Sequence, residues 1–312
     1  MKENKKENKI KLPKDTTKVA WHGIQVTVPE DWSLIGMQGT LEKGYYRVDG
    51  PVASALEIRW SDSMGKRPDA AVKVRQLLDR TEKENKKLNK KFSSETNEIS
   101  SDDVRYSWVC EDRVGNGRAL YCEKCDRMIM AQIISSRNDW HKEYAYEILE
   151  SINDHREDNL INWGLLGFEF AVPEGFQLFK QVTLSGYLSL WFKKQSKILV
   201  VERWGLASSL KGNTSLEDWY RADVLNDIKG YRVNIESNRF REHEALKITG
   251  RAYGVMQTLK AIGKSFTLYP HPVLLTGYAW YCEESNRLYA VRGLHVEEDD
   301  FVELVRDSIP CG

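Results

Sequence analysis

Apolar residues alternate with polar ones along Ile24, Val26 and Val28, where Gln25 and Thr27 intervene, and again along Phe168, Phe170 and Val172. That period of two predicts strands with one buried face. Each run closes on a proline, Pro29 or Pro173, which cannot donate to a β-ladder. Leu56, Ile58 and Trp60 alternate in the same way, as do Val104, Tyr106 and Trp108. Elsewhere the spacing turns helical. In PDAAVKVRQLLDRTEKENKKL, Ala71, Val74, Leu77 and Leu78 fall on one face and Pro68 suits the first turn. SLEDWYRADVLNDIKG opens on Ser215 as an N-cap and ends on Gly230 as a C-cap. The spacing predicts two shorter helices over 144–152 and 301–309.

The pattern is written twice. GIQVTVPEDW from Gly23 returns as GFEFAVPEGF from Gly167, 144 residues later, and Arg59-Trp60 returns at the same offset as Arg203-Trp204. Tyr121, Cys122, Glu123 and Arg127 then match Tyr281, Cys282, Glu283 and Arg287, now 160 apart, so the second copy carries an insertion between the two landmarks. Ser151-Ile152 matches Ser308-Ile309 near the end of each copy. Such a register marks a tandem duplication.

Connections indicate antiparallel pairing. Asn116-Gly117 is a hairpin signal between apolar stretches, and YCEKCDRMIM turns within about four residues. The reading is an α+β protein of two tandem repeats, each an antiparallel sheet packed with helices. Residues 1–17 form a flexible polar tail, 18–156 the first repeat and 157–312 the second. A length of 312 residues suits two cores better than one.

A strand ending in Val-Pro-Glu, then a hairpin, a helix, a meander and a last helix ending near Ser-Ile, resembles the PsbP/DcrB-like superfamily, which also holds the Mog proteins. The residues that carry the likeness are Val28 to Trp32 with Ser151-Ile152, and Val172 to Phe176 with Ser308-Ile309. The resemblance implies an α/β/α sandwich in each repeat. It also implies a binding or accessory role without catalysis.

Charge narrows the partners. The 46 basic residues balance 46 acidic ones, so no global field exists to hold nucleic acid. No apolar run approaches the roughly 20 residues of a membrane helix. The Lys-, Asn- and Glu-rich start has no apolar h-region, and the expected location is the cytoplasm. Reduced thiols are then the default for Cys110, Cys122, Cys125, Cys282 and Cys311.

Three features carry candidate chemistry. Cys122 and Cys125 stand three apart on a tight turn, the spacing of a zinc knuckle or a redox pair. Cys110, placed across the hairpin, would supply a third thiol, and His141 or His155 a fourth ligand. Against this, the second copy keeps Cys282 but has Ser285 in place of Cys125, which favours small buried packers. The tryptophans at the matched positions 60 and 204 read as duplicated core rather than ligand-stacking groups. The insertion in the second copy holds Tyr253, Phe266, Tyr269 and His271, with Pro270 and Pro272 around that histidine. These four are the expected binding surface, set against the plainer reading of an extended hairpin.

The sequence therefore predicts a non-catalytic binding or scaffolding module for an unidentified protein or small molecule. The alternatives are a small-ligand protein using the cleft between the copies, or a thiol or zinc site at Cys110, Cys122 and Cys125. No other cofactor is expected, and no nucleophile elbow, H-E-x-x-H or phosphate loop appears.

Overall fold

The computed structural model describes residues 15–51, 54–137, 144–225, 231–252, 274–296 and 301. The chain divides into two compact units, Met1–Glu169 and Phe170–Gly312.

In the first unit the chain runs through β1 (Thr16–Trp21), β2 (Ile24–Pro29), β3 (Ser33–Gly39), β4 (Lys43–Asp49), β5 (Ala55–Asp62), α1 (Ala70–Lys87), β6 (Phe92–Ser100), β7 (Asp103–Cys110), β8 (Arg113–Cys122), β9 (Arg127–Ser136), α2 (Ala145–Glu150) and β10 (Leu160–Leu165). Then come β11 (Phe168–Pro173), in which the division falls, β12 (Gln177–Leu184), β13 (Tyr187–Lys194), β14 (Lys197–Trp204), α3 (Ala207–Lys211), α4 (Leu216–Trp219), a π-helical turn (Tyr220–Val224), β15 (Tyr231–Phe240), β16 (His243–Ala252), β17 (Leu274–Cys282) and β18 (Arg287–Leu294).

These strands form three sheets. One seven-stranded sheet has the order β3-β4-β5-β9-β8-β7-β6, and the other repeats it as β12-β13-β14-β18-β17-β16-β15. The duplicated sequence folds into a duplicated strand order. A four-stranded sheet has the order β11-β10-β1-β2. The recurring glycine phrase marks equivalent turns: His22-Gly23 and Leu166-Gly167 all have positive φ, at 51°, 89°, 54° and 68°. Two successive left-handed residues give the tight turn whose twist matches its strands.

This architecture corrects the expected α+β sandwich. Among the described residues only α1 is long; α2, α3 and α4 have six, five and four residues. The helix expected from Ser215 onward is real for one turn, with Ser215 Oγ accepting from the Asp218 amide, and then widens into the π-turn at Tyr220. Antiparallel sheet is the frame, and the helices patch it. No PsbP-like α/β/α layering is present among the described residues.

The first unit's large sheet buries both faces, by different means. Trp60, Ile58 and Leu56 of β5 stand opposite Ile129, Ala131 and Ile133 of β9, on the same face as Tyr46 and Val48 of β4. Trp21, Ile24, Val26 and Val28 of the small sheet, and Ile148 and Leu149 of α2, are buried with them. Each such side chain contributes roughly 1.5–3 kcal/mol on leaving water. On the other face α1 lays Ala70, Val74 and Leu78 against Val104, Tyr106 and Trp108. Asp69 caps α1 through the Val72 amide, and Pro68 precedes the cap.

Two local expectations change. Asn116 and Gly117 lie inside β8, opposite Ser107 and Tyr106, and the chain turns instead at Glu111, which has a positive φ of 53°. A Cβ built on Gly117 would overlap the Tyr106 ring, and one on Gly115 the Trp108 ring. The glycines make room for cross-strand aromatics rather than a turn. Trp60 and Trp204 are not equivalent either. Trp60 opposes Ile129, two residues past Arg127, but Trp204 opposes Leu288, one past Arg287. A slip of one residue changes face, so Trp204 packs edge-on against Trp219 beside the helices while Arg203 is buried at the place of Trp60. In the same unit Glu202 and Arg292 form a buried ion pair, and the Tyr187 and Ser189 hydroxyls donate to Glu202 Oε1 at 2.7 and 3.2 Å.

Among the described residues no helix is long and apolar enough to cross a membrane. Of the expected features, the helix over 301–309 past Phe301, the C-cap at Gly230, the tail up to residue 14 and residues 253–273 of the insertion lie outside the described residues.

Candidate functional site

Two places in the first unit combine exposed or unsatisfied polar groups with a defined frame. The first is β6. Among the described residues it ends its sheet with β7 on one side only, and eight of its nine residues are exposed. Its register with β7 is unbroken from Phe92 to Glu98 before shifting near Ser100. The opposite edge, β3, is broken by a bulge after Leu34. Unpaired edge N–H and C=O groups are a template for another strand. Ser94, Thr96 and Glu98 point to the side of α1, where they line a groove of about 180 Å³ with Ala71, Arg75, Leu78 and Asp79. A second groove of about 460 Å³ continues past Glu98 between the start of α1 and the β6–β7 turn, walled by Arg67, Asp69, Arg75 and Asp102. Arg67 and Asp102 form an ion pair at its mouth.

The second place is the β8–β9 turn. Cys122 ends β8, Cys125 lies in the turn, and Asp126 takes a left-handed φ of 51° to bring the chain back into β9. The Cys125 amide points at Cys122 Sγ, 3.4 Å away. Beyond α2, Asn153 bridges to Gln25 of β2 through a pair of backbone hydrogen bonds of 2.8 and 2.9 Å, and this fixes the next two residues against the turn. His155 Nδ1 is 3.2 Å from Cys122 Sγ. One ligand atom from each of Cys122, Cys125, Asp154 and His155 lies within 4.8 Å of all the others.

Arg127 organises the floor of this cluster. Its guanidinium donates to the carbonyls of His22, Leu41 and Asp154, each at 3.0 Å, and pairs with Asp154 Oδ1. Asp154 Oδ2 is buried and has no hydrogen-bond partner among the described residues. Burial and the Asp154 carboxylate push the Cys125 thiol far up from its ordinary value, and burial raises Cys122. Beside Arg127, His22 sits between Trp21, Trp163 and Trp60. Burial first, and the Arg127 charge second, lower its pKa to about 4.

The structure thus joins Cys122 and Cys125 to His155 and separates Cys110 from them. Cys110 faces Arg113 at the start of β8, whereas Cys122 ends that strand. Nine steps of about 3.4 Å put the two turns roughly 30 Å apart. Cys110 Sγ donates to Asn85 Oδ1 of α1 at 3.1 Å, within the core beneath that helix. Cys282 is buried in the second unit. Asp154 and Arg127 escaped the sequence reading, because a carboxylate beside a histidine has no diagnostic spacing. The available signal was adjacency, since Asp154 immediately precedes His155. Tyr253, Phe266, Tyr269, His271 and His141 lie outside the described residues.

No family model and no curated protein matches the chain, so the PsbP/DcrB-like resemblance rests on its short motifs. Among solved structures, the chain is similar to the T6SS immunity protein TplEi from Pseudomonas aeruginosa complexed with "L" peptide. That match has 10% identity and a TM-score of 0.37, over 95% of this chain and 98% of that one. The apo structure of TplEi matches at 10% identity and a TM-score of 0.32, over 94% and 95% of the two chains. At these values the likenesses carry no conclusion about this protein.

Proposed function

We propose that this protein is a non-catalytic binding module that takes an extended segment of a protein partner along the outer edge of β6. The observation behind this reading is an unpaired edge in unbroken register, running beside a groove. Main-chain hydrogen bonds to such an edge supply affinity that depends little on sequence, while alternate side chains entering the groove supply selectivity. Here Arg75, Asp79 and Glu98 offer both signs of charge in that groove, so polar or charged side chains at every second position of the partner fit it best. The second copy's insertion with Tyr253, Phe266, Tyr269 and His271 is proposed, from its sequence alone, as a further contact surface.

The test is selection of short peptides from a display library on the full chain, followed by amide hydrogen exchange. Selected peptides are expected to slow exchange in β6 and to lose affinity when alternate residues are replaced. Binding that leaves β6 amides unprotected contradicts the reading.

A further inference from the structure

We propose that Cys122, Cys125, Asp154 and His155 form a tetrahedral site for one divalent zinc-class cation, which fastens the β8–β9 turn to the chain that leaves α2. The proposal is independent of the β6 reading.

Four observations converge. The ligand atoms lie within 4.8 Å of one another. Zinc bonds of about 2.0–2.3 Å in a tetrahedron set ligand separations near 3.3–3.8 Å, so closure needs a contraction of only about 1 Å. The Cys125 amide already faces Cys122 Sγ, an N–H placed to stabilise a thiolate. Asp154 Oδ2 is an acceptor, buried and unpartnered, on a residue only 4% exposed, and a cation would satisfy it. His155 directs Nδ1 to the sulfur side and Nε2 toward Glu157 Oε1 at 3.5 Å. An outer carboxylate on the distal nitrogen is the usual way a ligating imidazole is oriented.

The charges also close. Two thiolates and a carboxylate are anionic, and the cation together with the Arg127 guanidinium balances them. Binding breaks two S–H bonds, releases both protons to solvent and forms two metal–sulfur bonds with no change of oxidation state. Thiolate, imidazole and carboxylate in a closed four-ligand set suit zinc, because it has no redox chemistry and accepts mixed donors. All four positions are protein ligands, which is the pattern of a structural centre. The ring of His155, 28% exposed on its side chain, leaves a path for entry.

The segment joined by this clip is also tied by Asn153 to Gln25 and by Asp154 to Arg127. Lys124 Nζ donates to the Arg156 carbonyl at 3.1 Å and approaches Glu157, both across the same seam. A metal there would lock the end of α2 against the sheet.

The experiment uses the full chain, purified without chelator, with metal content measured by mass spectrometry. One zinc per chain is expected. After chelation, titration with cobalt(II) is expected to give thiolate-to-metal charge-transfer and tetrahedral d–d bands at one equivalent. Cys125→Ser and His155→Gln should each abolish stoichiometric binding, and Cys110→Ser should leave it intact. Should Asp154→Asn misfold through loss of the Arg127 pair, the His155→Gln spectrum decides, since that side chain is partly exposed. Less than a tenth of an equivalent taken up by the chelated protein in excess zinc overturns the proposal. So does a cobalt spectrum unchanged in Cys125→Ser. Stoichiometric iron or copper in place of zinc would overturn the zinc assignment.

Discussion

Arg127, the first residue of β9, pairs with Asp154 across 27 positions of sequence, and both side chains are almost wholly buried. The same guanidinium satisfies three carbonyls from three separate loops. Its removal therefore strands three buried or half-buried carbonyls and the Asp154 carboxylate together. Arg127→Met should destabilise the first unit by about 3–5 kcal/mol, the range for breaking a buried pair from one side. Urea unfolding checks this, and a loss below about 1 kcal/mol would show that the pair is not structural.

Gly117 presents a simpler steric case. Alanine there forces the Tyr106 ring off β8, and overpacking of this kind costs about 1–3 kcal/mol. The double variant Gly117→Ala with Tyr106→Ala should cost less than the sum of the single changes, because the clash is shared. Strict additivity in a double-mutant cycle would refute the packing account.

The same pair shows what the sequence could and could not reveal. Asn-Gly is a strong turn signal, but at Asn116-Gly117 the glycine serves a ring on the neighbouring strand, a demand that local spacing does not display. Alternation marks the strands of β2, β5 and β7, and the offset between copies marks the duplication but not the strand order that the two large sheets share. The spacing from Ser215 predicts more helix than the described residues form, because Ser215 caps a real first turn and the chain then leaves α-geometry at Tyr220. The Cys122–Cys125 turn and His155 were visible by residue type. Cys110 reads as a neighbour of Cys122 because two hairpins at opposite ends of β8 look adjacent in sequence. The Trp60 and Trp204 match hid a one-residue slip, which identity alone does not detect and which exchanges the two faces of a strand.

His22 gives a pH dependence with a definite sign. Its pKa falls from 6.5 to about 4 on folding, so between these values the unfolded chain binds the extra proton. The stability tied to its neutral form is complete above pH 6.5 and is lost as pH falls through 4. The difference is about 3 kcal/mol at full extent. His22→Asn suits the left-handed φ at this position. In chelated protein, this variant should flatten the stability profile between pH 6.5 and 4. An unchanged profile would mean that other groups govern acid sensitivity.

The most direct test of the binding account is a pair of prolines at Glu95 and Thr96. Successive residues of an antiparallel strand turn their N–H groups to opposite edges. One proline therefore breaks the ladder to β7, and the other removes a donor from the free edge alone. The account predicts that one variant loses stability, while the other keeps the parent's unfolding midpoint yet binds selected peptides at least tenfold more weakly. If the well-folded proline variant binds those peptides with the affinity of the parent, β6 is not the docking edge.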